Sequence, residues 1–404
     1  MNHIVVKPSK KLSRPLRVMF LITSMPIGGA ETLLVNLVRR MDRRVCEPEI
    51  ACLKEPGELG EEIAKEIPVH RGLIFHKFDV GIVSRLRRLL IDRRIDAVIT
   101  VGAGDKMFWG RLAARYARLP VILSALHSTG WPDGVGRLNR LLTGITDGFI
   151  AVARQHAEFL VEFEKFPQHK VFMIPNGIDT QRFVFDSQGR QRIRAELGIH
   201  PTSAVVGIVA ALRPEKNHEL FLKVAREIRQ RIPSANFVIV GDGPQRATLQ
   251  SLTASLGLTD AVHFLGSRGD VPAVLSALDL FVLTSHNEAS PVSILEAMAC
   301  ARPVVAPNVG SISESLLNAK TGLLVQGHEV RQHAEAWLSI LTDTVRATSM
   351  GEAARQHVVQ YGSLDAMTRG YEELILKLFL SKQLHVSQPV DTIQFGSIQR
   401  SIQA

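Results

Sequence analysis

Short apolar runs alternate with amphipathic segments along this chain in two successive series, and that rhythm restricts the fold more than any other feature. In the first series Arg17-Val18-Met19-Phe20-Leu21-Ile22 reads as a strand buried on both faces. A Gly-rich turn follows, and Leu33, Leu34, Leu37, Val38 and Met41 mark one face of a helix. Glu49–Leu53, Ala97–Val101 and Val121–Leu123 read as further strands, and Ser84–Arg94 as a basic amphipathic helix. A polar stretch at 180–200, with the turn cluster Asp186-Ser187-Gln188-Gly189, interrupts the pattern. It resumes with strands at Val205–Val209, Phe237–Val240, Val262–Phe264, Leu280–Leu283 and Val304-Val305, and with a helix from Glu219. Strands that alternate with helices form a parallel sheet covered on both faces. A chain of 404 residues is also too long for one core. The fold class expected is therefore α/β, with two doubly wound Rossmann-like domains facing across a cleft.

The expected division is a basic N-terminal tail at 1–15, a first domain at 16–185, a second at 186–362, a helix at 363–380 and a polar tail at 381–404. Lys and Arg number 48 against 39 Asp and Glu, a net charge of +9 that suits an anionic ligand or an anionic membrane surface. Nucleic acid is not expected as a partner: no zinc-finger or RNA-recognition signature occurs, and aromatic residues make up only 6%. Cys46, Cys52 and Cys300 form no CxxC and no metal-ligand spacing, which points to a reducing compartment. Lys10, Lys11, Arg14 and Arg17 ahead of Val18–Ile22 have the order of a secretory signal. The apolar run is short, however, and Thr23, Ser24 and Pro26 follow it, so no cleaved signal is expected. No stretch approaches the roughly 20 apolar residues of a spanning helix. A cytoplasmic protein is expected, at most peripheral at the inner face of the plasma membrane.

Ligands of doubly wound sheets lie outside the carboxyl ends of the strands, so the loops after strands hold the candidate chemistry. Gly28-Gly29-Ala30-Glu31 either forms a tight turn or lets a ligand phosphate approach the backbone. It is neither GxGxxG nor a Walker loop. Arg213-Pro214-Glu215-Lys216-Asn217-His218 carries a basic pair suited to a diphosphate, or is a solvated charged loop. Gly241-Asp242-Gly243-Pro244 reads first as a turn set by backbone geometry. In Glu288-Ala289-Ser290-Pro291-Val292-Ser293-Ile294-Leu295-Glu296, Ser290 is the expected N-cap and Pro291 the first helical residue. Glu288 then stands in the loop and Glu296 in the helix among apolar neighbours, where a carboxylate needs a partner. Two ribose hydroxyls would serve Glu296, and hydroxyls of a sugar would serve Glu288. His127 follows the strand Val121–Ala125 and is either structural or part of the cleft.

The order GGAE, strand-end His, NGID, RPEKN, GDGP and EASPVSILEAM resembles the family-4 retaining glycosyltransferases, from about Arg17 to about Leu380. Two Glu with seven residues between them, followed by Ala-Met, carry the most specific part of the likeness. The resemblance implies a GT-B architecture, with the acceptor on the first domain and the donor on the second. It implies a nucleotide-sugar donor (a UDP-sugar), a glycan or lipid-linked acceptor in cell-surface polysaccharide assembly, and no metal or other cofactor, because a DXD motif is lacking. Gly28 and Gly29 would lie against the donor phosphates and sugar. His127 would contact the transferred sugar near the reacting centre, and Lys216 would bind the diphosphate. Glu288, with Ala289, Ser290, Pro291 and Val292, would hold the donor sugar, and Glu296 the ribose. Asn176-Gly177-Ile178-Asp179 would open the interdomain linker, and the last helix would cross back to the first domain. One position departs from the pattern: the family usually has Arg five residues before the diphosphate Lys, where this chain has Ala211. Arg213 stands two residues on, so the catalytic set expected is His127, Lys216, Arg213 and Glu288. A nucleotide-sugar epimerase, or a nucleotide-sugar-binding protein without transferase activity, is the alternative.

Overall fold

In the computed structural model the described residues are 12–76, 79–102, 105–126 and 140–383, with 105–107 described by backbone alone. His127, most of the N-terminal tail and residues 384–404 lie outside them.

Two parallel sheets form. The first contains β1 (Leu16–Ile22), β2 (Cys46–Cys52), β3 (Val69–His70), β4 (Ala97–Val101), β5 (Val121–Ala125), β6 (Gly148–Ala151) and β7 (Val171–Met173), in the order β3-β2-β1-β4-β5-β6-β7. The second contains β8 (Val205–Val209), β9 (Asn236–Val240), β10 (Val262–Gly266), β11 (Leu280–Val282), β12 (Val304–Pro307) and β13 (Gly322–Val325), in the order β10-β9-β8-β11-β12-β13. Each winds outward in both directions from its first strand, so each has a topological switch point: between β1 and β4, and between β8 and β11.

β1 shows why apolar runs become central strands. Val18, Phe20 and Ile22 enter the core on one face of the first sheet, and Met19 and Leu21 enter the core on the other. β3, β6, β7 and β13 do not stand out in the sequence, because they are short, begin at glycine or are only half-buried. The basic helix runs over Ile82–Asp92, close to its expected span. No helix among the described residues is long and apolar enough to cross a membrane.

Ahead of β1, Arg14 donates two hydrogen bonds to Asp96, at 2.7 and 2.9 Å, so this part of the basic N-terminal segment is pinned to the sheet.

The chain passes between the two sheets twice, and the two crossings lie side by side. Ile178 donates from its N–H to the Gly362 carbonyl, and Leu364 donates from its N–H to the Ile178 carbonyl, each at 2.9 Å. Gly177 is required at this point, because a Cβ there would stand 2.3 Å from the Ser363 carbonyl oxygen. The final helix, Leu364–Gln383, follows the second sheet in sequence but packs on the core of the first through Met367, Tyr371, Leu374, Ile375, Leu378 and Phe379.

Candidate active site

The switch point of the second sheet brings two loops together. The loop after β8 ends in the short 3-10 turn Pro214–Lys216, and Asn217, at φ 50°, caps the helix His218–Arg231. The loop after β11 begins at Leu283. Thr284 donates from Oγ1 to the Lys216 carbonyl at 3.1 Å, and His286 donates from its N–H to the Glu215 carbonyl at 2.9 Å. These bonds hold Lys216 beside Glu288, whose Oε1 accepts from Lys216 Nζ at 2.6 Å and from Ser285 Oγ at 2.7 Å. Glu288 is buried, with 8% of its surface exposed, so it needs the cation. Among the described residues Oε2 accepts no hydrogen bond, and one oxygen of this carboxylate is left for a ligand.

The loop after β12 supports Glu288 from behind. Ser311 donates from its N–H to the Glu288 carbonyl at 2.9 Å. Gly310 has φ +50°, and a Cβ there would fall 2.0 Å from the same carbonyl, so glycine is required.

The helix after Glu288 spans Val292–Ala299, which corrects the expected start. Pro291 is the N-cap, extended at ψ 110°, and no side chain caps the helix. Ser290 lies before it, with its carbonyl engaged by Asn176 Nδ2 at 3.1 Å. Glu296 sits within the helix, half-buried and with no hydrogen-bond partner among the described residues. Burial pushes its carboxyl up from 4.5 to about 7, with Arg182 acting in the opposite direction. The charged form is thus penalised in the fold. This penalty grows as pH rises from 4.5 and is full above about 7.

The glycine motifs divide into two kinds. Gly241, at φ +132°, and Gly243 stand where a Cβ would meet the Ala210 and Leu212 carbonyls at 2.1 and 2.6 Å. The packing of one turn on another therefore demands them, as the turn reading expects. Gly28 is extended at φ −161°, and a Cβ there would touch only the movable Glu31 side chain. At Gly29 a Cβ would meet nothing within 4 Å. Nothing in the fold itself requires these two glycines.

Profiles of two families match the chain: Glycosyl transferases group 1 over residues 189–357, and Glycosyltransferase Family 4 over residues 27–182. The GDP-mannose-dependent alpha-(1-6)-phosphatidylinositol monomannoside mannosyltransferase of Mycobacterium tuberculosis is 30% identical over 299 residues, which span 70% of this chain and 76% of the relative. The chain belongs to the family 4, group 1 glycosyltransferases. The enzyme of the same description from Mycolicibacterium smegmatis is 29% identical over 340 residues, 80% of this chain and 87% of its own. Anabaena HepE, solved in complex with UDP and glucose, shares the fold with a TM-score of 0.79 at 22% identity, over 89% of this chain and 99% of that one. As a family 4 member, this chain is a retaining glycosyltransferase of GT-B architecture that uses a nucleotide-sugar donor.

Within this glycosyltransferase the fold joins the side chains of Lys216 and Glu288, and the Arg213 side chain takes no part in that pair. The Arg213 side chain is 63% exposed, and its nearest carboxylate is Glu215 at 4.0 Å. Ser285, Thr284 and Gly310 were not singled out in the sequence; the only signal was a polar Thr-Ser pair directly after an apolar strand. His218 is fully buried below the loop, where burial and the Lys216 charge push it down to about 4. Its imidazole is therefore neutral at physiological pH, and the positive charge of this loop resides on Lys216 and Arg213.

The geometry sets a stability prediction. Lys216→Ala leaves the Glu288 carboxylate buried without its cation and should cost about 2–3 kcal/mol in urea unfolding. Lys216→Ala combined with Glu288→Ala should cost less than the sum of the single changes. Additive losses would show that the pair does not form in solution.

Proposed function

We propose that this glycosyltransferase moves a sugar from a nucleoside diphosphate donor to a hydroxyl of a lipid-linked or glycan acceptor, with Lys216, Glu288 and Glu296 holding the donor. The observation that carries this reading is the Lys216–Glu288 pair at the switch point, where a cation lies beside a buried carboxylate one of whose oxygens accepts no hydrogen bond among the described residues. An arriving diphosphate takes over Lys216, whose charge stabilises the leaving group as the C1–O bond to phosphate breaks. Glu288 turns to the hydroxyls of the sugar, and Glu296 accepts from the ribose. Gly28 and Gly29 leave room for the backbone to meet the donor, which gives these residues the purpose that the fold does not. Ala289, Ser290, Pro291 and Val292 complete the donor wall, and Arg213 reaches the phosphates when its loop closes. His127, outside the described residues, is the residue that the family resemblance assigns to the transferred sugar. The acceptor oxygen bonds to C1 on the face the diphosphate leaves, and its proton goes to the departing phosphate oxygen. Uridine is the base expected from the sequence. The 30% identical mannosyltransferase, GDP-dependent by its description, favours guanosine as the second reading. Cell-surface polysaccharide or lipid-linked oligosaccharide assembly is the setting.

Incubation of the protein with UDP- and GDP-sugars and a panel of lipid and glycan acceptors tests this directly. Transfer should occur with one base, should continue in excess EDTA, and should fall roughly 30–150-fold in kcat/KM in both Lys216→Ala and Arg213→Ala. Tight donor binding without turnover, or release of intact donor with its sugar epimerised, would overturn the transferase reading of this site.

Glu296 gives the donor site a pH dependence. Hydroxyl donors favour the charged carboxylate, whereas the empty site holds its pKa at about 7. Donor affinity should therefore rise between about pH 6 and 8, and binding at neutral pH should release a proton, measurable by calorimetry in buffers of different ionisation enthalpy. Glu296→Gln should abolish both effects. A flat profile in the unmodified enzyme would remove Glu296 from the site.

Peripheral contact with an anionic membrane, through the basic helix Ile82–Asp92 and its neighbour, is the last part of the proposal. Arg85 is engaged by Asp79 and Arg93 by Glu49, so neither faces outward freely. Arg87, Arg94 and Arg88, the last in a surface pair with Asp92 at 3.6 Å, remain exposed with Arg115 and Arg118 around Ile91 and Tyr116. Sedimentation with phosphatidylserine vesicles should be strong at low salt and weak at high salt. Absence of binding at low salt would rule this contact out.

A further inference from the structure

In the first domain the helix Arg154–Glu162 begins without a cap of its own. Its N-cap position is Ala153, no side chain of its own turn closes it, and no acidic residue lies in its first turn. The amides at such a start have no acceptor within the helix. Two of them are satisfied from the other domain: Glu314 accepts the Arg154 N–H on Oε2 at 2.7 Å and the Gln155 N–H on Oε1 at 2.8 Å. A carboxylate in this place is hydrogen-bonded by both oxygens and favoured by the helix dipole.

Glu314 belongs to the short helix Ile312–Ser315 that follows β12. The residues just before it are Gly310 and Ser311, which support the Glu288 carbonyl. One turn of chain thus braces the donor-site carboxylate and reaches across to the first domain. The covalent crossings lie together at Ile178 and Ser363, an arrangement that acts as a hinge. Rotation about that hinge has to break the Glu314 contact. Glu314 is exposed, and exposed charge contacts contribute little to global stability, so the contact can open and close in each turnover.

We propose that Glu314 is a positioning residue, a clasp that caps the Arg154 helix from the opposite domain and couples occupancy at Glu288 to closure of the cleft. The coupling rests on the donor-site reading of Glu288; the clasp itself rests only on the contact.

Hydrogen–deuterium exchange on the full-length protein, with and without UDP or GDP as probe, separates the two. In Glu314→Ala the amides of Arg154 and Gln155 should exchange roughly tenfold faster, since no helical acceptor protects them. Glu314→Gln, with one accepting oxygen, should fall between. In the unmodified protein the nucleotide should slow exchange at the same amides, and in Glu314→Ala it should not. With transfer as readout, Glu314→Ala should lower kcat about fivefold to tenfold, leave donor KM within about twofold, and raise the share of donor lost to water. Unchanged exchange at Arg154 and Gln155 would overturn the clasp. Faster exchange with normal kcat and hydrolysis would overturn the positioning role. Loss of protection in a protein that transfers no sugar would support the clasp and reject the donor-site reading.

Discussion

A buried carboxylate held by one lysine organises the second domain. Removing Glu288 from water is tolerable only because Lys216 and Ser285 converge on one of its oxygens. The two loops that bring these groups together leave adjacent strands, β8 and β11, at the place where the sheet reverses its winding direction. Backbone bonds between the loops fix the pair from below, and Gly310 with Ser311 fixes it from behind. The same pair is the one to which the proposed function assigns the diphosphate-sugar donor. A ligand that takes Lys216 must offer it a counter-charge at least as good, and a diphosphate does.

The two domains share more than a linker. The final helix is made after the second sheet and buries its apolar face on the first, so the core of the first domain is not complete until the chain has passed through the second. The paired crossings at Ile178 and Leu364 place both covalent links between the sheets in one narrow region. Away from that region, the Glu314 contact with the Arg154 helix consists of two exposed hydrogen bonds, which can break without unfolding either domain.

Much of the architecture was legible because period and burial agree. β1, β4, β5, β8, β9, β11 and β12 are buried along most of their length, and such runs have few alternatives. β3, β6, β7 and β13 were not legible, since their pairing partners rather than their own residues make them strands. At the candidate site, Lys216 and Glu288, which the fold joins, could be picked out by type and spacing, whereas Thr284, Ser285 and Gly310 could not. The start of the helix after Glu288 could not: Ser-Pro is a good helix start in sequence, but the Asn176 bond to the Ser290 carbonyl and an extended Pro291 move the start on by one residue.

The sequence by itself determined the α/β class, the doubling of the domain, the loops that hold the candidate site residues and the motif order of a family 4 glycosyltransferase. These follow from local periodicity and from residue type, which a chain carries before it folds. Only the tertiary structure decided that Lys216 stands on Glu288 while Arg213 points away, that Gly241 and Gly177 serve packing whereas Gly28 and Gly29 do not, and that Glu314 caps a helix 160 positions distant. Such facts depend on which atoms meet across long stretches of chain. Hydrogen bonds and ion pairs act over a few ångströms, and no spacing in the sequence encodes that distance.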